Sequence, residues 1–196
     1  MEKNRLEAFS DGVLAIIITI MVLELKVPQH AKQFADLEPL LPVFLSYILS
    51  FLYVGIYWNN HHHLFQSTKR VTGGILWANL HLLFWLSLFP FTTGWMGQNH
   101  YAPVPTATYG FVLLMAAVAF SILQRKIMAH QGRDSILAAA IGDGWKEKLS
   151  TACYVCAIPL AFVSSWIAGG LYVFVALLWL IPDRRIERVL EEREEK

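Results

Sequence analysis

The sequence predicts an all-α membrane protein with six transmembrane helices, and three observations lead there. Of its 196 residues, 56% are hydrophobic and only 16% are charged, against about a quarter charged in an ordinary soluble domain. The apolar residues gather into long runs, near the roughly 20 residues that a helix needs to cross a bilayer. Threaded through a membrane, those runs leave fourteen of the 16 Lys and Arg residues on one side, with only Lys26 and Lys32 on the other. Such a bias is the positive-inside pattern of a multi-pass protein, with both chain ends on the cytoplasmic side.

The expected spans follow in order. The first covers about 10–27 and comes after a polar start, Met1 to Asp11, with no small-residue cleavage site behind its apolar run. That run is therefore expected to stay as a span and not to be removed as a signal peptide. Pro28, Pro39 and Pro42 separate it from a second span at about 43–65. Gly73-Gly74 precedes a third at about 75–95, and Pro103 and Pro105 precede a fourth at about 106–124. These are the residues that interrupt helices. The fifth and sixth spans are expected at about 149–166 and 168–182, with the turn between them near Ile167 and Ala168. Together residues 1–182 read as one membrane domain, followed by a charged cytoplasmic tail, 183–196. In that tail Ile186, Val189 and Leu190 suggest an amphipathic helix. The loop Gly132 to Lys148 is expected to hold a short interfacial helix over Ser135 to Ile141.

Several function classes fit poorly. A formal net charge of +1 gives no electrostatic footprint for nucleic acid. Cys153 and Cys156 lie inside an apolar run among Tyr154, Val155 and Ala157, the surroundings of inert thiols. The consecutive His61, His62 and His63 project about 100° apart on a helix and do not converge on one metal ion. A membrane enzyme built on the His61–His63 cluster would need a nucleophile or a carboxylate-rich motif beside it, and none accompanies it. A secondary cation transporter would need ionisable groups near the bilayer midplane and broken helices, whereas the middle of every span is uncharged.

The first span carries the clearest pattern. At about 100° per residue, Arg5, Phe9, Gly12, Ile16, Ile20 and Leu23 share one narrow stripe, with Thr19 at its edge and Asp11 on the opposite side. A carboxylate inside a bundle costs about 3 kcal/mol on insertion scales and needs partners. Trp58, Asn59, Asn60 and the histidines end the second span, and Asn79 and His81 begin the third, all near the same membrane face. One hydrogen-bonded network joining Asp11 to these groups is expected, locking the first helix to its neighbours.

The motif Arg5-x-x-x-Phe9-Ser10-Asp11 at the start of a first span resembles the signature of the prokaryotic transmembrane-protein-175 family, relatives of the lysosomal potassium channel. The stretch Trp58 to Phe65, with Asn and His residues including His62 and His63, and the stretch Ser87 to Phe91 are also similar to that family. The resemblance spans essentially the whole chain. It implies a homotetramer around a central pore lined by the first helix, passing potassium ions modestly selected over sodium, with no cofactor and no enzymatic activity. It also implies a constriction formed by a ring of large aliphatic side chains in place of a carbonyl filter, and no Thr-Val-Gly-Tyr-Gly occurs here. By that correspondence Ile16 forms the constriction, Thr19 a hydroxyl layer, and Ile20 and Leu23 further aliphatic rings. Arg5, Phe9, Ser10, Asp11, Trp58, His62, His63 and Asn79 make up the motif and its packing network.

Overall fold

The computed structural model of the chain describes residues 3–28, 32–66, 68, 70–131 and 144–180. These are helical nearly throughout: α1 (Lys3–Leu23), a 3-10 helix (Phe34–Leu40), α2 (Leu41–Gln66), α3 (Gly73–Ser87), α4 (Phe89–Gln98), α5 (Pro103–Gln131), α6 (Trp145–Leu160) and α7 (Ser165–Leu180). The expected helices at Ser135 to Ile141 and in the tail 183–196 lie outside the described residues.

By length and composition four segments suffice to cross a membrane: Lys3–Leu23, Phe34–Gln66, Gly73–Gln98 and Pro103–His130. The shorter Ser165–Leu180 is also apolar. At 21 residues, α1 is about 32 Å long, close to the hydrocarbon thickness of a bilayer.

The fourth expected span is longer than read, because α5 takes Pro103 and Pro105 into its first turn and runs to Gln131. At three further places the helices differ from the sequence expectation for a local reason. The first helix begins at Lys3 and stops at Leu23, so Glu24 to Val27 leave the helix before Pro28. The third segment is not continuous. It breaks at Leu88, and Pro90 sits in the first turn of α4. There a proline's missing N–H leaves no broken hydrogen bond, and its ring would clash with the carbonyl four residues back in an uninterrupted helix. The turn between α6 and α7 falls at residues 161–164, ahead of the expected Ile167 and Ala168. Pro159 weakens the end of α6, and Phe162 and Val163 donate back to the carbonyls of Pro159 and Leu160 at 3.2 and 3.0 Å. Because Phe162, Val163, Trp166 and Ile167 are all apolar and exposed, hydropathy alone could not locate this turn.

The centre of the bundle is α5, which packs most extensively on α3 and α6. Its buried positions Tyr109, Val112, Leu113, Ala116, Ala119, Leu123 and Ile127 recur every three or four residues, as a helix facing a core requires. The alanines bring neighbouring helices close. Several polar groups within this core are paired, while Thr106 Oγ1 and Gln124 Oε1 of α5 have no hydrogen-bond partner among the described residues. Ser50 Oγ lies 2.6 Å from Thr93 Oγ1 and 2.9 Å from Tyr109 Oη. The Tyr53 hydroxyl donates to the Tyr172 carbonyl at 2.6 Å, and the Tyr154 hydroxyl donates to Tyr53 at 3.2 Å. In a medium without water each such pairing spares the cost of a stranded polar group.

The Tyr172 ring crosses α5 at Gly110, and its hydroxyl donates to the Thr106 carbonyl at 3.1 Å. A Cβ at Gly110 would overlap the Tyr172 hydroxyl and come within 2.7 Å of its ring carbon Cζ. The ring is fully buried and has no room to retreat. Gly110→Ala is therefore expected to destabilise the fold by about 2 kcal/mol through overpacking. Gly169→Ala, where a Cβ meets nothing within 4 Å, is the matched control, and thermal unfolding in detergent compares the two.

Candidate functional site

The first helix has two faces. Leu6, Ser10, Leu14, Ile17 and Met21 are buried against the bundle, at helical spacing. On the other side Phe9, Ile16, Ile20 and Leu23 are 52%, 60%, 44% and 70% exposed. Arg5, Gly12 and Thr19 lie exposed among them. The stripe read from periodicity is thus the bare face of α1, and the residues between its members are those that hold the helix in place. An exposed run of large aliphatic residues on one side of an otherwise packed helix is a surface to be covered by lipid, protein or a pore.

Thr19 adds a polar feature to this face. Its hydroxyl donates to the Ala15 carbonyl at 2.9 Å. The hydrogen is therefore occupied by the helix itself, and the oxygen lone pairs are turned away from it. An exposed oxygen with its proton already engaged is an acceptor, suited to a cation or a water molecule.

The polar groups behind α1 form two separate clusters, which corrects the single network expected around Asp11. Inside the bundle Asn79 Nδ2 donates to Ser10 Oγ at 2.9 Å, and Ser10 Oγ donates to the Leu6 carbonyl at 2.9 Å. His61 Nε2 meets Asn79 Oδ1 at 2.8 Å. An amide oxygen only accepts, so Nε2 carries the proton in this arrangement. Ser10 and Asn79 are fully buried, and His61 is 2% exposed. This staple joins α1, α2 and α3 at the end of the bundle where α1 begins. At the same end Lys3 Nζ donates to the Gln66 carbonyl at 3.2 Å.

Asp11 lies outside that staple. Its Oδ1 accepts from Trp58 Nε1 at 3.1 Å, on the exposed side of the α1–α2 contact. One residue of sequence is about 100° of helix, so Ser10 and Asp11 cannot both face Asn79. The histidines divide in the same way. His61 is in the staple, His62 stacks on Trp58 with 6.1 Å between ring centroids, and His63 is half-buried. His63 Nδ1 has no hydrogen-bond partner among the described residues. His81, placed by the sequence near the same network, instead accepts from Trp85 Nε1 at 2.9 Å within α3.

The sequence reading placed all three histidines in one network and kept only His62 and His63 among the motif's packing residues, whereas His61 is the one that enters the staple. A signal existed. Val43, Ser46, Ser50, Tyr53, Val54, His61 and Leu64 are buried along α2, and that helical register selects His61 while turning His62 away. The Asp11–Trp58 bond lies at an exposed contact, so Trp58→Phe is expected to cost no more than about 1 kcal/mol. Thermal unfolding of the purified variant checks this.

Fold and site together define a polytopic membrane protein with a bare aliphatic stripe on a helix stapled from behind. The comparisons carry this to a family. The profile described as endosomal/lysosomal potassium channel TMEM175 matches residues 5–90. A Chryseobacterium sp. (strain P1-3) protein named as a potassium channel is 60% identical over 192 residues, covering 98% of this chain and 100% of the relative. The crystal structure of a lysosomal potassium-selective channel TMEM175 homolog from Chamaesiphon minutus matches with a TM-score of 0.81. That match is at 30% identity and covers 93% of this chain and 98% of the other. The human endosomal/lysosomal proton channel TMEM175 is 29% identical over 186 residues, which cover 84% of this chain and 36% of the human protein. The chain belongs to the TMEM175 family, a family of ion channels and not of enzymes.

Proposed function

We propose that this chain is a potassium channel, modestly selective over sodium, that assembles as a homotetramer with α1 lining a central pore. Its place is the cell membrane, with lipid as its surroundings and both termini in the cytoplasm. The observation that carries this reading is the bare stripe of α1. In a fourfold assembly Ile16, Ile20 and Leu23 become stacked aliphatic rings, with Thr19 between them. Rings of this kind close a pore by dewetting, because water in a narrow apolar neck loses hydrogen bonds that the wall cannot replace.

Selectivity follows from partial dehydration. A cation passing Ile16 sheds part of its water shell, and the outward lone pairs of Thr19 replace some of it. Potassium holds its water less tightly than sodium and crosses at lower cost. Without a cage of carbonyl oxygens the discrimination stays modest. Such a pore needs no cofactor, and the permeant potassium ion is its only small-molecule partner. The Ser10–Asn79–His61 staple suits this role, because a constriction is only as sharp as the position of the helix that bears it.

Ion flux through purified protein in liposomes tests the proposal. A potassium gradient is expected to drive a flux that falls several-fold when sodium replaces potassium. Absence of flux from correctly inserted protein would overturn it, and equal flux of both ions would remove the selectivity.

A further inference from the structure

We infer that a cavity between α2, α5, α6 and α7 is a binding site for a small alkylammonium ion, separate from the α1 stripe. The cavity measures about 50 Å³ and is bounded by Tyr57 and Asn60 of α2, Phe120 of α5, Glu147 and Tyr154 of α6, and Trp179 of α7. That is room for about four water molecules, or for an ammonium head carrying a short alkyl chain.

The lining is mostly aromatic and apolar, and several of its donors are already engaged. Asn60 Nδ2 is engaged with the Ile56 carbonyl at 2.8 Å, which leaves its Oδ1 to accept. Trp179 Nε1 donates to Ser150 Oγ at 2.8 Å, and Ser150 in turn donates to the Lys146 carbonyl at 2.7 Å. Thr151 Oγ1 donates to the Glu147 carbonyl at 2.8 Å. The Tyr154 hydroxyl is spent on Tyr53. The polar side chains on the lining with hydrogen-bonding capacity left over are the half-buried Glu147, Asn60 through Oδ1 and Tyr57. Among the described residues no ion pair reaches Glu147.

A ligand for such a wall brings positive charge and several N–H donors. The rings exclude a bare metal ion, which wants six or more oxygens around it. They suit an organic cation, since aromatic faces attract ammonium groups. A primary ammonium places its donors on Glu147 and Asn60 and its carbon chain against Phe120 and Tyr57.

Saturation-transfer NMR with ethylammonium as the probe, on the full chain in detergent micelles at fixed potassium chloride, tests the site without any reference to ion flux. Saturable transfer is expected from the wild type. Glu147→Gln is expected to weaken it about tenfold or more, because one charged partner of the pair is lost. Ala117→Leu, which fills the cavity and leaves the carboxylate in place, is expected to do the same. Glu38→Gln, on an exposed carboxylate of the 3-10 helix, is expected to change nothing. No saturable transfer from the wild type, or wild-type affinity retained in Glu147→Gln or in Ala117→Leu, would overturn the inference.

Discussion

Ile16→Ala is expected to raise potassium flux about tenfold or more, the change that follows from taking ~1.4 kcal/mol off a barrier. The side chain is 60% exposed on the bare face of α1, so shortening it removes little from the packed core. In a fourfold pore the substitution strips three carbons from each of four side chains at one level. The neck widens and its wall no longer forces as much dehydration, so potassium-over-sodium discrimination falls as flux rises. The paired substitution Ile17→Ala acts in the opposite manner. Ile17 is 3% exposed and faces the bundle, so its truncation costs about 2–4 kcal/mol of stability and leaves the neck unwidened. Flux and thermal unfolding measured on both variants separate the two faces. Unchanged flux in Ile16→Ala would make the stripe a packing surface and nothing more.

Asn79→Ala is expected to carry the largest stability loss in the molecule, about 4 kcal/mol. Asn79 is the middle member of the staple, donating to Ser10 at 2.9 Å and meeting His61 Nε2 at 2.8 Å. Removing it takes a partner from each neighbour in a dry interior, where an orphaned polar group costs about 1–3 kcal/mol and the emptied space adds a cavity term. Ser10 retains its bond to the Leu6 carbonyl, whereas His61 Nε2 loses the one partner the structure gives it. The double variant Asn79→Ala with His61→Phe removes the stranded imidazole and is expected to recover part of the loss. Thermal unfolding in detergent reads both. A loss below about 1 kcal/mol in Asn79→Ala would show that water enters the staple and satisfies it.

The sequence made some of this legible and hid the rest, for reasons tied to particular residues. The α1 stripe was readable because Ile16, Ile20 and Leu23 and the buried Leu14, Ile17 and Met21 sort cleanly by angle around one helix. What covers the stripe was not readable, since an apolar residue facing lipid, a pore or a second copy looks the same in sequence. The depth of the polar clusters was also legible, from the alternating direction of the spans. Their division was not, because the adjacent Ser10 and Asp11 are separated by rotation, and depth alone does not resolve rotation. The same limit put all three histidines into one network, although only His61 enters the staple. The break at Leu88 carried a proline signal in Pro90 that a count of apolar residues passes over. The turn at residues 161–164 carried almost none. The tyrosines Tyr53, Tyr109, Tyr154 and Tyr172 bond across four helices, and such long-range pairing has no local spacing to betray it.

The central claim is that Ile16 faces an ion pathway, and thiol modification under flux tests it most directly. Cys153 and Cys156, the free cysteines of the chain, are first replaced by serine. A single thiol is then introduced by Ile16→Cys or by Ile17→Cys, and potassium flux in liposomes is followed while a methanethiosulfonate reagent is added. Block of the Ile16→Cys protein with no effect on Ile17→Cys is the expected result, because in the proposed pore only the first side chain lines the neck. No block at position 16, or equal block at both positions, would contradict a pore lined by this face of α1.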